Sequence, residues 1–485
     1  MKDRILGNTE PKEVFHYFED LTCIPRESGN EAAVCAYLVE FAKAHGLEYQ
    51  TDDAHNIIMR RSAGKGFEDR AGVILQAHMD MVCEKNAGVE HDFAKDPISF
   101  EIEGDKIIAR DTTLGADDGI GVALALAILA DKSREYPALE FVCTADEERG
   151  MTGVEAFDGS LLQGSTLINL DSDDEGVFII GCAGGPVVKV FLPIAREAVP
   201  ADVSTLRISV RGLLGGHSGE DIHRCRANSI KLLCRLLYTL KESVALSLVD
   251  FMGGLKYNAI PREAEAIIAV PAGDVAKVEE LTAAYQTVVA KEYRFSDSDI
   301  SITCAAADAA RQVMTKASRD GLLNYLYFTQ SGIVRMNPEF PDIVESSVSL
   351  GVVRLEAEQA VIHVMTRSSM KSMYEEMFCH IRRLTELHGA TYEVMSCCPE
   401  WEYDPDSGVK KTCGELYQKL YGKAPKYMVL HAGLECGELG EKAPRKLDMI
   451  SLGPDVRNLH SPGEYVTISS TQKVWHFLRE LLCQL

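Results

Sequence analysis

The chain has 485 residues, more than a single hydrophobic core usually serves, so two or more domains are expected. Apolar residues make up 46% and charged residues 25%, an ordinary globular balance, and no apolar run is long enough to span a membrane. A formal net charge of -23 excludes the basic footprint of a nucleic-acid binder and argues against docking on anionic lipid.

The first residues, "MKDRILGNTEPKEV", lack the apolar stretch of a secretory signal. The fourteen cysteines are scattered and form no C-x-x-C pair. Reduced thiols and a cytoplasmic location are the expectation. "EVFHYFEDL" and "EAAVCAYLVEFAKAHG" have helical spacing, and "GVILQAHMD" reads as a short buried strand. "GIGVALALAILAD" follows as a helix, then "LEFVCTADEE" and "STLINLDSDD" as strands. Such alternation predicts an α/β domain with a mostly parallel sheet.

The pattern changes after "GCAGGPVV", whose glycines read as a hinge. From about Lys189, strands such as "TLRISVRG" and "EAEAIIAVPA" frame the helix "NSIKLLCRLLYTL", an α+β pattern. A weak repeat is visible, with "ISITCAA" taken as the head of a second strand-helix-strand-helix copy. Near Cys398 the α/β pattern returns: helix "GELYQKLYG", strands "YMVLHAGLECG" and "DMISLGP", and helix "STQKVWHFLRELL". Residues 1–186 and 398–485 are therefore expected to form one domain, interrupted by an insert at 187–397.

Five predicted strand ends or helix starts carry ligand-type residues: His78 with Asp80, Asp117, Glu147 with Glu148, Asp171, and His460. In an open parallel sheet the carboxyl ends of the strands line one crevice, so these residues are able to converge. Two imidazoles and several carboxylates suit zinc or a similar divalent ion. The His78-x-Asp80 spacing lets the carboxylate accept the second ring N–H. Against this stands a plainer reading, in which each residue is a solvated loop acid or a core histidine. His55, His91, His223 and His431 have no partner by spacing, and "DSDDEG" beyond Asp171 reads as a solvated turn.

In order along the chain come "QAHMDMVCEK", "TTLGADDGIGVA", "ADEERGMTG", "GGHSGEDIH", "NAIPREAE", "HAGLECG" and "SLGPDVRNLHSPGE". This series resembles the co-catalytic di-zinc metallopeptidase family that includes carnosinase and peptidase T, over nearly the whole chain. The resemblance implies an α/β zinc-peptidase catalytic domain at 1–186 and 398–485. It makes 187–397 an inserted α+β lid, read as two tandem subdomains. The implied activity is hydrolysis of unblocked dipeptides, Xaa-His included, with two zinc ions (cobalt or manganese as substitutes) and a homodimer formed through the lid. Two rival readings remain: an N-acyl amino acid amidohydrolase of the same fold, and a non-catalytic metal-binding relative.

By the same resemblance His78 and Asp171 hold one zinc, Glu148 and His460 hold the other, and Asp117 bridges them. Glu147 acts as general base on the metal-bridging water, and Asp80 orients His78. His217 steadies the oxyanion, Asn258 and Arg367 hold the substrate's C-terminal carboxylate, and Glu435 meets its amino terminus. Relatives carry a non-proline cis peptide after the bridging aspartate, here between Asp117 and Asp118, and often have Asn where Asp118 stands.

Overall fold

Residues 4–485 are described in a computed structural model of the chain. They divide into two compact units. The first runs to Gly181 and adds Tyr403–Val429 and Leu434–Leu485; the second is Cys182–Glu402 with Leu430–Gly433. The boundaries at 187 and 397 thus fall inside the second unit. Hydrogen bonding at its base explains this. Cys182 and Trp401 form an antiparallel bridge, with N–H to oxygen distances of 2.9 and 3.1 Å, and Gly184 and Ser368 exchange two more bonds at 2.9 Å.

An eight-stranded sheet organises the first unit. Its order is Glu48–Thr51, Ile57–Arg61, Leu139–Thr144, Val73–His78, Thr166–Asn169, Asp448–Ser451, Val177–Cys182, Lys426–Leu430. The four strands from Leu139–Thr144 to Asp448–Ser451 run parallel, with antiparallel pairings outside them. Val73–His78 and Leu139–Thr144 are buried at every position, as the continuous apolar runs of a sheet covered on both faces should be. Part of that cover is the helix Ala116–Ala130, which packs on Val73–His78. After Asp118 its sequence is only apolar residues and glycine, and Gly119–Leu129 are all buried. Each buried Leu, Ile or Val there contributes about 1.5–3 kcal/mol.

One local expectation is corrected. "YMVLHAGLECG" is not a single strand: the strand stops at Leu430, and Glu435–Lys442 is a helix. Glu435 and Glu438 in its first turn complement the positive end of the helix dipole. A smaller sheet pairs Val456–Arg457 with Tyr465–Thr467, and the latter with Lys106–Ile108. The loop of that hairpin carries His460.

The second unit contains a nine-stranded antiparallel sheet over one apolar core. Its path is Ser301–Ala306, Val203–Arg211, Ala264–Pro271, Ser247–Gly253, Val344–Leu355, Gln359–Ser368, Gly185–Pro193, Thr391–Cys398. Gly332–Met336 pairs beside Val344–Leu355. Two halves meet at the Gly253–Val353 pairing. With Gly332–Met336 and the short pair Arg196–Ala198 and Gln312–Met314 set aside, each half reads in chain order strand, helix, two strands, helix, strand. Outward from the seam each half runs second, third, first, fourth. Ser301–Ala306 therefore closes the first half, whereas the sequence pattern put it at the head of the second. The true first strand of the second half is Gly185–Pro193, separated from its partners by the whole first half. Periodicity identifies a strand but not its neighbours, so the sequence could not show this.

Candidate metal centre

Three of the parallel strands end in ligand-type residues. His78 is the last residue of Val73–His78. Glu147 and Glu148 follow Leu139–Thr144 after Asp146, which takes the left-handed conformation with φ 53°. That conformation is uncommon outside glycine, although Asp tolerates it, and it turns the chain sharply at the strand end. Asp171 follows Thr166–Asn169 by two positions. Asp117 enters from the start of the helix Ala116–Ala130, next to a cis Asp117–Asp118 peptide. His460 enters from the hairpin loop, itself left-handed with φ 58°.

These side chains converge. Asp117 Oδ1 is 3.0 Å from His78 Nε2, and Asp117 Oδ2 is 3.2 Å from His460 Nε2. One carboxylate thus faces a different imidazole with each oxygen. His78 Nε2 also lies 3.8 Å from Asp171 Oδ1, and His460 Nε2 lies 3.0 Å from Glu148 Oε1. Two sets of ligand atoms result, His78–Asp117–Asp171 and Asp117–Glu148–His460, each within 4.8 Å and sharing Asp117. Glu147 has a carboxylate oxygen within 4.8 Å of ligand atoms of His78 and Glu148.

Burial and crowding of like charges set the electrostatics. Burial pushes Asp171 well above the usual carboxylate range, and the neighbouring acids add to it. Burial likewise raises Glu147 to about 8, with Glu435, Glu148 and Asp117 contributing and His78 opposing. Hydrogen bonds to Asp117 and Glu148 raise His460 to about 10. Burial opposes protonation of His78, yet Asp171, Asp117 and Asp80 together raise it well above the usual imidazole value. Acids that cling to protons and imidazoles that cling to charge mark a site short of positive charge. The donor set is oxygen and imidazole, with one shared carboxylate, and it fits a pair of divalent cations.

Asp80 holds this arrangement from below. It is fully buried, with Oδ1 3.3 Å from His78 Nδ1. Ser28 donates to it at 2.7 Å, and the backbone N–H groups of Glu147 and Glu148 donate at 3.1 and 3.3 Å. Although burial works the other way, the bonds from His78, Ser28 and Glu147 pull it down to about 2. The same carboxylate thus fixes a histidine ring and the turn that aims both glutamates.

The turn bearing Asp117 is held from two sides. Glu464, four residues past His460, accepts N–H bonds from Leu114, Gly115, Ala116 and Asp117 at 2.7, 3.0, 2.7 and 3.3 Å. Arg26 donates to the carbonyls of Met79 and Asp80 at 3.0 and 2.9 Å and to that of Gly115. Gly115 has φ 70°, where a side chain is disfavoured. Asp118 turns away from the ligands, accepting the N–H of Gly121 at 3.1 Å and of His78 at 3.3 Å. Burial raises its pKa well above the usual carboxylate range, with the Asp117 charge adding to it.

Glu435, also in the first unit, is fully buried. Its Oε2 accepts from Gln76 at 2.5 Å and from Thr144 at 2.6 Å, and burial raises it to about 7. His217, Asn258 and Arg367 belong to the second unit. His217 Nδ1 accepts the N–H of Glu220 at 3.2 Å, which leaves the proton on Nε2, 3.4 Å from Arg367 Nη2. Burial, then the Arg367 charge, lowers the His217 pKa. Arg367 is 6% exposed, and burial lowers it to about 10. Asn258 is exposed, and its carbonyl accepts the N–H of Ser218, beside His217.

Ser28, Arg26 and Glu464 carried no role in the sequence reading, because their partners are 52, 53 and 350 residues away. "DSDDEG" is not a solvated turn. Asp174 pairs with Arg457 at 2.5 Å, and Glu175 accepts from Tyr417 at 2.7 Å and Lys473 at 3.2 Å. His431, set aside on spacing, is buried against Ser347, with Nε2 2.7 Å from its hydroxyl. None of the fourteen cysteines is in a disulfide, and no helix among the described residues is long and apolar enough to cross a membrane.

Comparison with known proteins gives consistent matches. The model of peptidase family M20/M25/M40 matches residues 74–484. The cytosol non-specific dipeptidase of Escherichia coli (strain K12) is 39% identical over 477 residues, covering 98% of both chains. The crystal structure of aminoacylhistidine dipeptidase from Vibrio alginolyticus superposes with a TM-score of 0.91 at 36% identity, over 99% of this chain and 98% of that one. Aminopeptidase PepT from Bacillus cereus shares the fold, with a TM-score of 0.56 at 15% identity over 98% of each chain.

Proposed function

The chain belongs to peptidase family M20/M25/M40 and is a metallopeptidase that hydrolyses dipeptides, and from that premise we propose how its residues divide the work. The carrying observation is Asp117, each oxygen of which faces a different imidazole. His78 and Asp171 would hold one metal ion, Glu148 and His460 the other, and Asp117 both. Zinc suits this mix of imidazole and carboxylate. When bound, such a pair of ions lowers the pKa of water and polarises a peptide carbonyl.

Glu147 is the general base. It stands beside the ligand cluster and has a pKa raised by burial, so it takes a proton from the attacking water and passes it to the leaving amine. Asp80 keeps His78 in the tautomer that presents Nε2, and holds the backbone N–H groups of Glu147 and Glu148. His217, neutral with its proton on Nε2, donates to the oxyanion of the tetrahedral intermediate. Arg367 takes the substrate's C-terminal carboxylate, with Asn258 beside it, which limits the substrate to two residues. Glu435 sits buried against the central strands, bonded to Gln76 and Thr144, and acts on the site through its charge, more than by touching the amino terminus. The second unit serves as the lid. A homodimer formed through it, a cytoplasmic location and acceptance of Xaa-His substrates extend the reading; the last two follow the names of the two relatives.

The test separates base from ligand. Glu147→Gln should lower kcat on a free dipeptide by roughly 10²–10⁴-fold while metal content stays at two ions per chain. Glu148→Ala should lose metal. Full activity in the first variant would remove Glu147 from its role. Cleavage of N-acyl amino acids in place of free dipeptides would favour the amidohydrolase.

A further inference from the structure

Arg367 is a buried cation that forms no ion pair among the described residues. Its side chain is 6% exposed, and Nε has no hydrogen-bond partner. A guanidinium taken out of water in this way calls for an anion or for neutral acceptors. Cys398, Glu220 and Tyr257 act on its charge, but burial outweighs them. Ser347 stands directly opposite Arg367 in the antiparallel pairing of Val344–Leu355 with Gln359–Ser368. Directly opposed residues place their side chains on the same face of a sheet. The Ser347 hydroxyl lies 2.7 Å from His431 Nε2. His431 lies in Leu430–Gly433, a four-residue stretch beyond Tyr403 that belongs to the second unit. Backbone bonds from Ala183 N–H to Leu430 and Ala432 carbonyls, at 2.9 and 3.1 Å, hold that short stretch.

The His217 turn closes the same spot. A Cβ on Gly219 would fall 2.2 Å from the His431 carbonyl and 3.2 Å from Arg367 Nε, so this position admits only glycine. Burial, with Arg367 and His217 nearby, lowers His431 to about 3, so its ring is neutral. His431 Nδ1, like Arg367 Nε, is buried with no partner. With Ser347 donating to Nε2, Nδ1 carries the ring proton. Two buried N–H donors then stand together with nothing to accept them, an arrangement that suits a ligand bearing a planar anion.

We propose that Ser347 and His431 complete, with Arg367, the pocket that receives the substrate's C-terminal carboxylate, and are specificity-determining residues for that end. The proposal rests on the reading that Arg367 takes the carboxylate. Ser347 sets the tautomer of His431, and His431 supplies a second N–H to the anion without adding charge.

The experiment uses a non-cleavable reduced dipeptide and its C-terminal amide as competitive inhibitors of the metal-loaded enzyme. His431→Ala should raise the inhibition constant of the acid by about tenfold or more, the value of a hydrogen bond to a charged group. Ser347→Ala should raise it by a smaller factor of about threefold, through the lost tautomer preference, and both should change that of the amide far less. His431→Asn should recover part of the loss, because its amide N–H can take the place of Nδ1–H. If Arg367→Ala narrows the acid-to-amide ratio but Ser347→Ala and His431→Ala leave it unchanged, the proposal fails and the Arg367 reading stands. If Arg367→Ala leaves the ratio unchanged as well, that reading fails too. Should His431→Ala not fold, Ser347→Ala decides the matter alone, since it removes one oxygen and leaves the ring in place.

Discussion

Adjacent Glu147 and Glu148 look like an electrostatic conflict, and the left-handed Asp146 resolves it by turning the chain before them. Glu148 stands with His460 in the candidate ligand set, and Glu147, beside it, is proposed as the general base. Asp118 shows the opposite case, an acid with no chemical role. Its carboxyl is buried, and each of its oxygens accepts one backbone N–H, so an amide can meet only one of the two. Asp118→Asn is expected to keep activity and to cost about 1–3 kcal/mol for the one N–H it leaves unmet. Asp118→Ala should cost about 1–3 kcal/mol for each N–H left unmet. Denaturant melts and dipeptide kinetics on both variants check this, and a large kcat loss in Asp118→Asn would give Asp118 a role denied to it here.

Among the elements, the turn 114–117 matters most, because it aims the shared ligand. Four N–H groups converge on Glu464, which lies on the same hairpin loop as His460. That loop therefore carries one candidate ligand, His460, and also shapes the turn that bears another, Asp117. Glu464→Gln offers one carbonyl oxygen where two carboxylate oxygens served. It should cost about 1–3 kcal/mol per unmet N–H and weaken the binding of both ions, since Asp117 belongs to both sets. Calorimetric metal titration of the stripped protein reads this directly. Unchanged affinity for both ions would make Glu464 a stability residue only.

For the molecule as a whole, metal and protons compete for one cluster. Without metal, folded Glu147 and Glu435 keep their protons to about 8 and about 7, against an ordinary 4.5. A proton bound more tightly in the folded state favours folding at low pH, and the advantage is lost as pH climbs from 4.5 through those values. His460, raised from 6.5 to about 10, contributes fully below 6.5 and loses its contribution as pH rises through 10. The metal-free protein should therefore become less stable across this window. Bound cations replace those protons, so the gain in melting temperature on adding metal should widen with pH. Melts of stripped and loaded protein over this range test both statements, and a gain that shrank with pH would contradict them.

The parallel order of the central strands and the residues at their ends were legible in the sequence. Strand periodicity is local, and in a parallel sheet every strand's carboxyl end opens on one edge. Thus His78, Asp117, Glu148, Asp171 and His460 were identified from short stretches, with a family resemblance to divide them between two ions. What surrounds the ligands was not legible. Arg26, Ser28 and Glu464 act through bonds to backbone groups far along the chain, and backbone groups leave no mark on sequence pattern. His431 looked unpartnered because Ser347 is 84 residues away. The interleaved halves of the second sheet, with Gly185–Pro193 completing a half that resumes after Ser301–Ala306, follow from pairing alone. Local chemistry is written residue by residue, whereas pairing, charge balance and burial exist only once distant segments share a volume.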